Sequence, residues 1–105
     1  MLYNLYLEDN RAVSKRIRSE YLETHLAYLD AHADIIVLGG ALLEEDGETR
    51  IGSAFILNVG GQEEAERFLR NEPFHNAGLY ATSKITRMRR GQWNPQAAPK
   101  TAEGN

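Results

Sequence analysis

Two side chains in this sequence are of the type and setting that move protons, His25 and Glu72. His25 lies in the run Tyr21-Leu22-Glu23-Thr24-His25-Leu26-Ala27-Tyr28-Leu29. There Tyr21, Leu22, His25, Leu26 and Leu29 recur at spacings of three and four, the pattern of one packed helical face. A lone histidine on such a face is more often a hydrogen-bonded core residue than a base. Beside a carboxylate it becomes one, because the partner fixes one imidazole tautomer. Glu72 stands between a helix end and Pro73, where a surface carboxylate at a turn is the commoner role. In a fold that folds this loop back on the first helix, Glu72 supplies the partner. His32 and His75 fall near helix ends, the usual places of solvated or capping histidines.

Gly39-Gly40 and Gly78 form a second group. Glycine lets a backbone N–H approach a ligand oxygen closely, and equally serves a β-bulge or a helix stop. No G-x-G-x-x-G or Walker-type Gly-Lys-Thr sequence is present, so no nucleotide-phosphate loop is expected. Arg87, Arg89 and Arg90 make a basic run near the end of the last strand. Such runs are usually solvated edges that resist aggregation, with an anionic ligand as the alternative. No H-x-x-x-H pair or carboxylate cluster stands at metal spacing, and neither a metal nor another cofactor is expected.

The elements that must position these residues follow from periodicity. Leu2 to Glu8 reads as a strand, and Asp9-Asn10 supplies turn and capping chemistry. Arg11 to about His32 reads as one helix. Ile35-Ile36-Val37-Leu38, β-branched and bounded by glycine, reads as a buried strand. Glu45-Asp46-Gly47-Glu48 is the clearest turn, closing a hairpin with Ile51 to Val59. Gln62 to Arg70 reads as a second helix, with early glutamates and late arginines as the helix dipole prefers. Pro73 ends it, and a last strand runs from about Leu79 to Met88. The predicted order is β-α-β-β-α-β: an α+β, ferredoxin-like fold with both helices on one face of a four-stranded antiparallel sheet.

That order leaves one face uncovered. Tyr3, Leu5, Leu7, Phe55, Leu57 and Val59 alternate with a second apolar set, Leu2, Tyr6, Ala54 and Ile56. Large exposed apolar patches are unusual in soluble monomers, so a homodimer through the sheet face is expected. The alternative is a half-solvated sheet with scattered apolar residues.

Composition sets the outer bounds. The chain has 105 residues, 42% hydrophobic and 26% charged, with no cysteine and a formal net charge of −3. These values fit one globular domain, expected over residues 1–90, followed by a polar, flexible tail over residues 91–105. Without cysteine there is no thiolate nucleophile and no disulfide framework. Slight acidity argues against a nucleic-acid partner. No stretch approaches the ~20 apolar residues of a membrane helix, and no secretory leader is visible, so a cytoplasmic setting without membrane attachment is expected.

Three segments together resemble the YCII-related family: the run around His25, then Val37-Leu38-Gly39-Gly40-Ala41-Leu42, then Asn71-Glu72-Pro73-Phe74-His75-Asn76-Ala77-Gly78-Leu79-Tyr80. The resemblance spans about residues 1–90. It implies a dimeric α/β barrel of ferredoxin-like units and a site built on a His–Asp pair. It also implies, in one defined case, a dehydrochlorinase step in chlorinated aromatic degradation. The family histidine falls on His25, and the aspartate of its Asp-Pro-Phe/Tyr motif falls on Glu72. Leu22-Glu23-Thr24 stands where an Arg-Pro usually precedes the histidine, and Gly40-Ala41 stands for a Gly-Pro. Arg18, one turn earlier, is the candidate to replace the missing anion contact.

The expectation is therefore a small dimeric enzyme of lyase or isomerase type. It would work by His25 acid/base chemistry on a small cyclic or aromatic molecule, with Glu72 orienting His25. Gly39, Gly40 and Arg18 would bind the substrate. The alternative is a non-catalytic ligand-binding or interaction dimer of the same fold.

Overall fold

The computed structural model describes all 105 residues. Four strands, β1 (Leu2–Asp9), β2 (Ile36–Leu43), β3 (Arg50–Asn58) and β4 (Tyr80–Met88), form one antiparallel sheet in the order β2-β3-β1-β4. Helices α1 (Ser14–Glu20) and α2 (Leu22–Ala31) connect β1 to β2. Helix α3 (Gln62–Arg70) and the single turn α4 (Pro73–Asn76) connect β3 to β4. This is the ferredoxin-like βαββαβ arrangement.

Period-two alternation decides which side chains the helices cover. Tyr3, Leu5 and Leu7 of β1 meet Phe55 and Leu57 of β3 in a core closed by Ala65, Phe68 and Leu69 of α3. Each fully buried leucine or phenylalanine there contributes about 1.5–3 kcal/mol. The opposite face carries Tyr6, Ile56, Leu38 and Met88. Tyr6 is 50% and Leu38 67% exposed, and no helix covers them.

Three elements differ from their sequence reading. The expected long helix is two helices, because Tyr21 leaves helical geometry at φ −107°, ψ 11°. Buried Ile17 and His25 would sit about 80° apart around one straight helix, and the break at Tyr21 lets both turn inward. The packed face of α2 is His25, Tyr28 and Leu29; Leu22 and Leu26 are about half exposed. Strand β2 is longer than expected and is an exposed edge strand rather than a buried one, since it pairs only with β3. Pro73 does end α3, but the chain then makes one more helical turn.

The β2–β3 hairpin closes through Asp46 and Gly47, whose φ of 72° is the left-handed geometry that glycine adopts freely. The Asp46 carboxylate accepts from the Thr49 hydroxyl and from the Glu48 and Thr49 N–H groups, which holds its pKa below the ordinary range. Residues beyond Arg90 carry a short 3₁₀ turn at Pro95–Ala97 and a Thr101–Gly104 bridge, and are almost entirely exposed.

Candidate functional site: a buried histidine–glutamate pair beside a cationic cleft

A second, smaller core of Ile17, Phe74 and Leu79 ties α1 to α4 and to the start of β4. It brings the loop after α3 against α2. Glu72 is the N-cap of α4, with extended backbone at φ −75°, ψ 128° and Pro73 following at the first helical position. Its carboxylate accepts from the backbone N–H of Phe74 at 3.2 Å and of His75 at 3.1 Å. The third partner is His25 Nδ1. Glu72 is 0% and His25 8% exposed.

A carboxylate only accepts, so Nδ1 of His25 carries the hydrogen and the neutral ring presents its lone pair at Nε2. That second nitrogen has no hydrogen-bond partner within the chain and keeps contact with solvent. The Phe74 ring stacks on the imidazole at 3.8 Å and 12°, fixing its plane. The pair is thus locked in tautomer and orientation, with one basic atom left open.

The negative charge of Glu72 also reaches two tyrosines. Burial and then Glu72 raise the pKa of Tyr28, whose hydroxyl donates to the Phe68 carbonyl at 2.7 Å. The same two causes, in the same order, push Tyr80 far above its ordinary value. The Tyr80 hydroxyl donates to Ser53 Oγ at 2.9 Å. Both tyrosines remain neutral donors.

Arg18 lies close by and is heavily engaged. Its guanidinium grips buried Asp9 with two bonds of 2.8 and 3.1 Å, and donates to the Gly52 carbonyl at 2.7 Å and to Ser53 Oγ at 3.1 Å. Ser14 adds a hydroxyl bond to Asp9 at 2.6 Å. The guanidinium carbon also stands 5.3 Å from the centre of the Phe74 ring. Arg18 lines a cleft of about 760 Å³ between α1, the start of α2 and the β2–β3 turn, together with Leu22 and Phe74.

His25 and Glu72 do not themselves line the cleft, and neither do Gly39 and Gly40. Gly39 answers to packing: a Cβ there would stand 2.6 Å from Cδ1 of Phe55. Gly40 faces open space. Of the expected site residues, the structure brings together His25, Glu72 and Arg18 around Phe74. The glycine pair sits apart on β2, outside the cleft. No cluster of three or more His, Asp or Glu side chains is placed to hold a metal ion, and no helix is long and apolar enough to cross a membrane.

Residues 1–89 match the family model of the YCII-related domain. The chain belongs to the YCII-related family. A similar solved structure is that of 5-chloro-2-hydroxyhydroquinone dehydrochlorinase (TftG) from Burkholderia phenoliruptrix AC1100, in complex with 2,5-dihydroxybenzoquinone. The two chains share 29% identity and superpose with a TM-score of 0.78, over 87% of this chain and 96% of that one. No curated protein matches this sequence.

Three features of this YCII-related site escaped the sequence reading. Phe74 is its structural centre, yet it read only as part of a motif, with no sign of its stacking on His25. Asp9 anchors Arg18 and Ser14 rather than capping a helix. The Asp9–Ser14–Arg18 spacing of five and four, across a strand end and one helical turn, was the signal available. The third feature is Tyr80, whose Asn-Ala-Gly-Leu-Tyr context gave no hint of its bond to Ser53.

Proposed function

We propose that this YCII-related protein is an enzyme that eliminates or rearranges by proton transfer on a small ring compound. His25 Nε2 takes the proton and Glu72 holds the ring in place. The observation that carries this reading is the buried His25–Glu72 pair with its second nitrogen unbonded. A purely structural core histidine would have both nitrogens satisfied or sealed. The cleft one helical turn away at Leu22 and the similarity to a dehydrochlorinase support it.

For a chlorinated hydroquinone the step balances without oxidant or metal. Tautomerisation places a hydrogen on the chlorine-bearing carbon. His25 Nε2 then accepts a hydroxyl proton, the oxygen pair becomes a carbonyl, and the C–Cl pair leaves as chloride. One HCl is lost, and the Glu72 carboxylate stabilises the imidazolium that forms.

The test is chloride release from 5-chloro-2-hydroxyhydroquinone and ring-substituted analogues, by wild type and His25→Ala. Histidine acid/base catalysis contributes about 10²–10⁴-fold, so the variant should lose turnover by that factor. Full turnover by His25→Ala sinks the assignment. Absence of chloride release across the panel removes dehydrochlorination as the reaction.

We further propose a homodimer through the uncovered sheet face. Tyr6, Leu38 and Met88 support it as an apolar surface that no helix of the chain covers. Light scattering on Tyr6→Lys/Leu38→Lys should then report a monomer where wild type is a dimer.

A further inference from the structure

Four cations line the cleft beside the His25–Glu72 pair, and they are not equivalent. Arg18 is spent on Asp9, and Arg11 pairs with Glu44 at 2.8 Å. Lys15 and Arg50 form no ion pair within the chain. The one side-chain bond of Arg50 is a long contact to the Glu48 carbonyl at 3.4 Å. Glu48 is the single carboxylate lining the cleft, and it pairs with neither Lys15 nor Arg50. The two come from opposite walls, Lys15 from α1 and Arg50 from the first residue of β3. Phe74 and Leu22 are the two apolar residues of the lining, with the engaged guanidinium of Arg18 5.3 Å from the Phe74 ring.

The cleft therefore has a direction. Its apolar end adjoins the imidazole, since Phe74 stacks on His25 and Leu22 lies one turn before it on α2. Its cationic end lies toward the β2–β3 turn. At about 760 Å³ it is larger than one hydroxylated ring needs and within the range of ordinary small-molecule sites. Two cations that line one cleft without ion-pair partners give it a positive field that favours an anionic ligand.

From this we infer that the substrate carries an oxyanionic acid group, a carboxylate or a phosphate monoester, bound between Lys15 and Arg50 while its ring lies at Phe74 beside His25. This rests on the proton-transfer reading for what happens at the ring, and goes beyond it in naming the substrate class. Arg18, expected from sequence to bind the substrate, lines the same cleft with its guanidinium engaged by Asp9, Gly52 and Ser53. Lys15 and Arg50 determine specificity.

The experiment is a binding titration that needs no turnover. Hydroquinone is compared with 2,5-dihydroxybenzoate, which adds one carboxylate, and with 4-hydroxyphenyl phosphate, which adds one phosphate. Wild type should bind at least one acid about tenfold or more tighter than hydroquinone, and the stronger of the two assigns the group. The advantage should shrink to about twofold in Lys15→Met/Arg50→Gln. It should also weaken between about 50 and 500 mM salt. Both positions are exposed, so the variant is expected to keep its fold, checked by circular dichroism.

Binding of hydroquinone as tight as both acids overturns the inference. So does failure of both acids to bind, or an acid preference that survives removal of both cations. His25→Ala separates the two claims. It should keep the acid preference, and if it also keeps turnover, the proton-transfer reading falls while the acid site stands.

Discussion

Replacing Glu72 by alanine removes three hydrogen bonds from one fully buried carboxylate. Loss of the N-cap of α4 costs about 1 kcal/mol, within a range of about 0.5–2. Leaving the buried His25 Nδ1–H without its charged partner costs about 1.5–3 kcal/mol more. Because all three bonds share one side chain, the terms are not independent, and about 3–4 kcal/mol is the expected total. That is a large part of the ~5–15 kcal/mol available to a domain of this size. Glu72→Asp is the informative companion. It keeps a good N-cap residue and the charge but shortens the reach to His25 by one methylene, so about 1–2 kcal/mol should be lost. Urea denaturation, followed by circular dichroism with the m-value unchanged, measures both. A loss below about 1 kcal/mol for Glu72→Ala would refute the claim that this carboxylate joins α2 to α4.

Three other perturbations have defined outcomes. Gly39→Ala would drive a Cβ into the Phe55 ring and should cost about 1–3 kcal/mol, read by thermal melts against wild type. Arg18→Leu strands Asp9 without its cation in a buried site and should cost about 3–5 kcal/mol, with Arg18→Lys intermediate, both read by denaturant midpoints. Tyr80 is held neutral in the fold above its ordinary value of 10.0. The unfolded chain therefore loses that proton first, and stability is full below pH 10 and falls as pH rises beyond it. Tyr80→Phe should flatten this alkaline decline in a pH series of melts.

Much of this was legible in the sequence, and the losses have physical causes. The order of elements followed from alternation in Leu2–Leu7 and Phe55–Val59 and from the Glu45–Glu48 turn, signals that tertiary context reinforces. The break at Tyr21 was not visible, because helix-forming residues flank it on both sides; with it, Ile17 packs with Phe74 and His25 stacks on the same ring. The exposure of β2 was missed because Ile36-Val37-Leu38 has the apolar run of a buried strand, while topology puts it at the sheet edge. At the site, His25 stood out by type and Glu72 by its place before Pro73. That they meet depends on Phe74 packing on Ile17 and Leu79, a long-range contact with no local signature. Arg18 was singled out, but its role was not, since the partner that claims it lies on another element. Gly39 has a packing role that its residue type did not reveal, because a Cβ there would meet the Phe55 ring from the neighbouring strand.

The central claim is that His25 is held by Glu72 with Nδ1 protonated and Nε2 open for proton transfer. Nitrogen-15 NMR of the imidazole measures this directly, because the two ring nitrogens report their protonation separately. The account predicts, for the neutral ring, a protonated Nδ1 and a bare Nε2, with Nε2 responding selectively when 2,5-dihydroxybenzoquinone is added. A ring protonated at Nε2 with Nδ1 bare, or an Nε2 resonance indifferent to ligand, would contradict it.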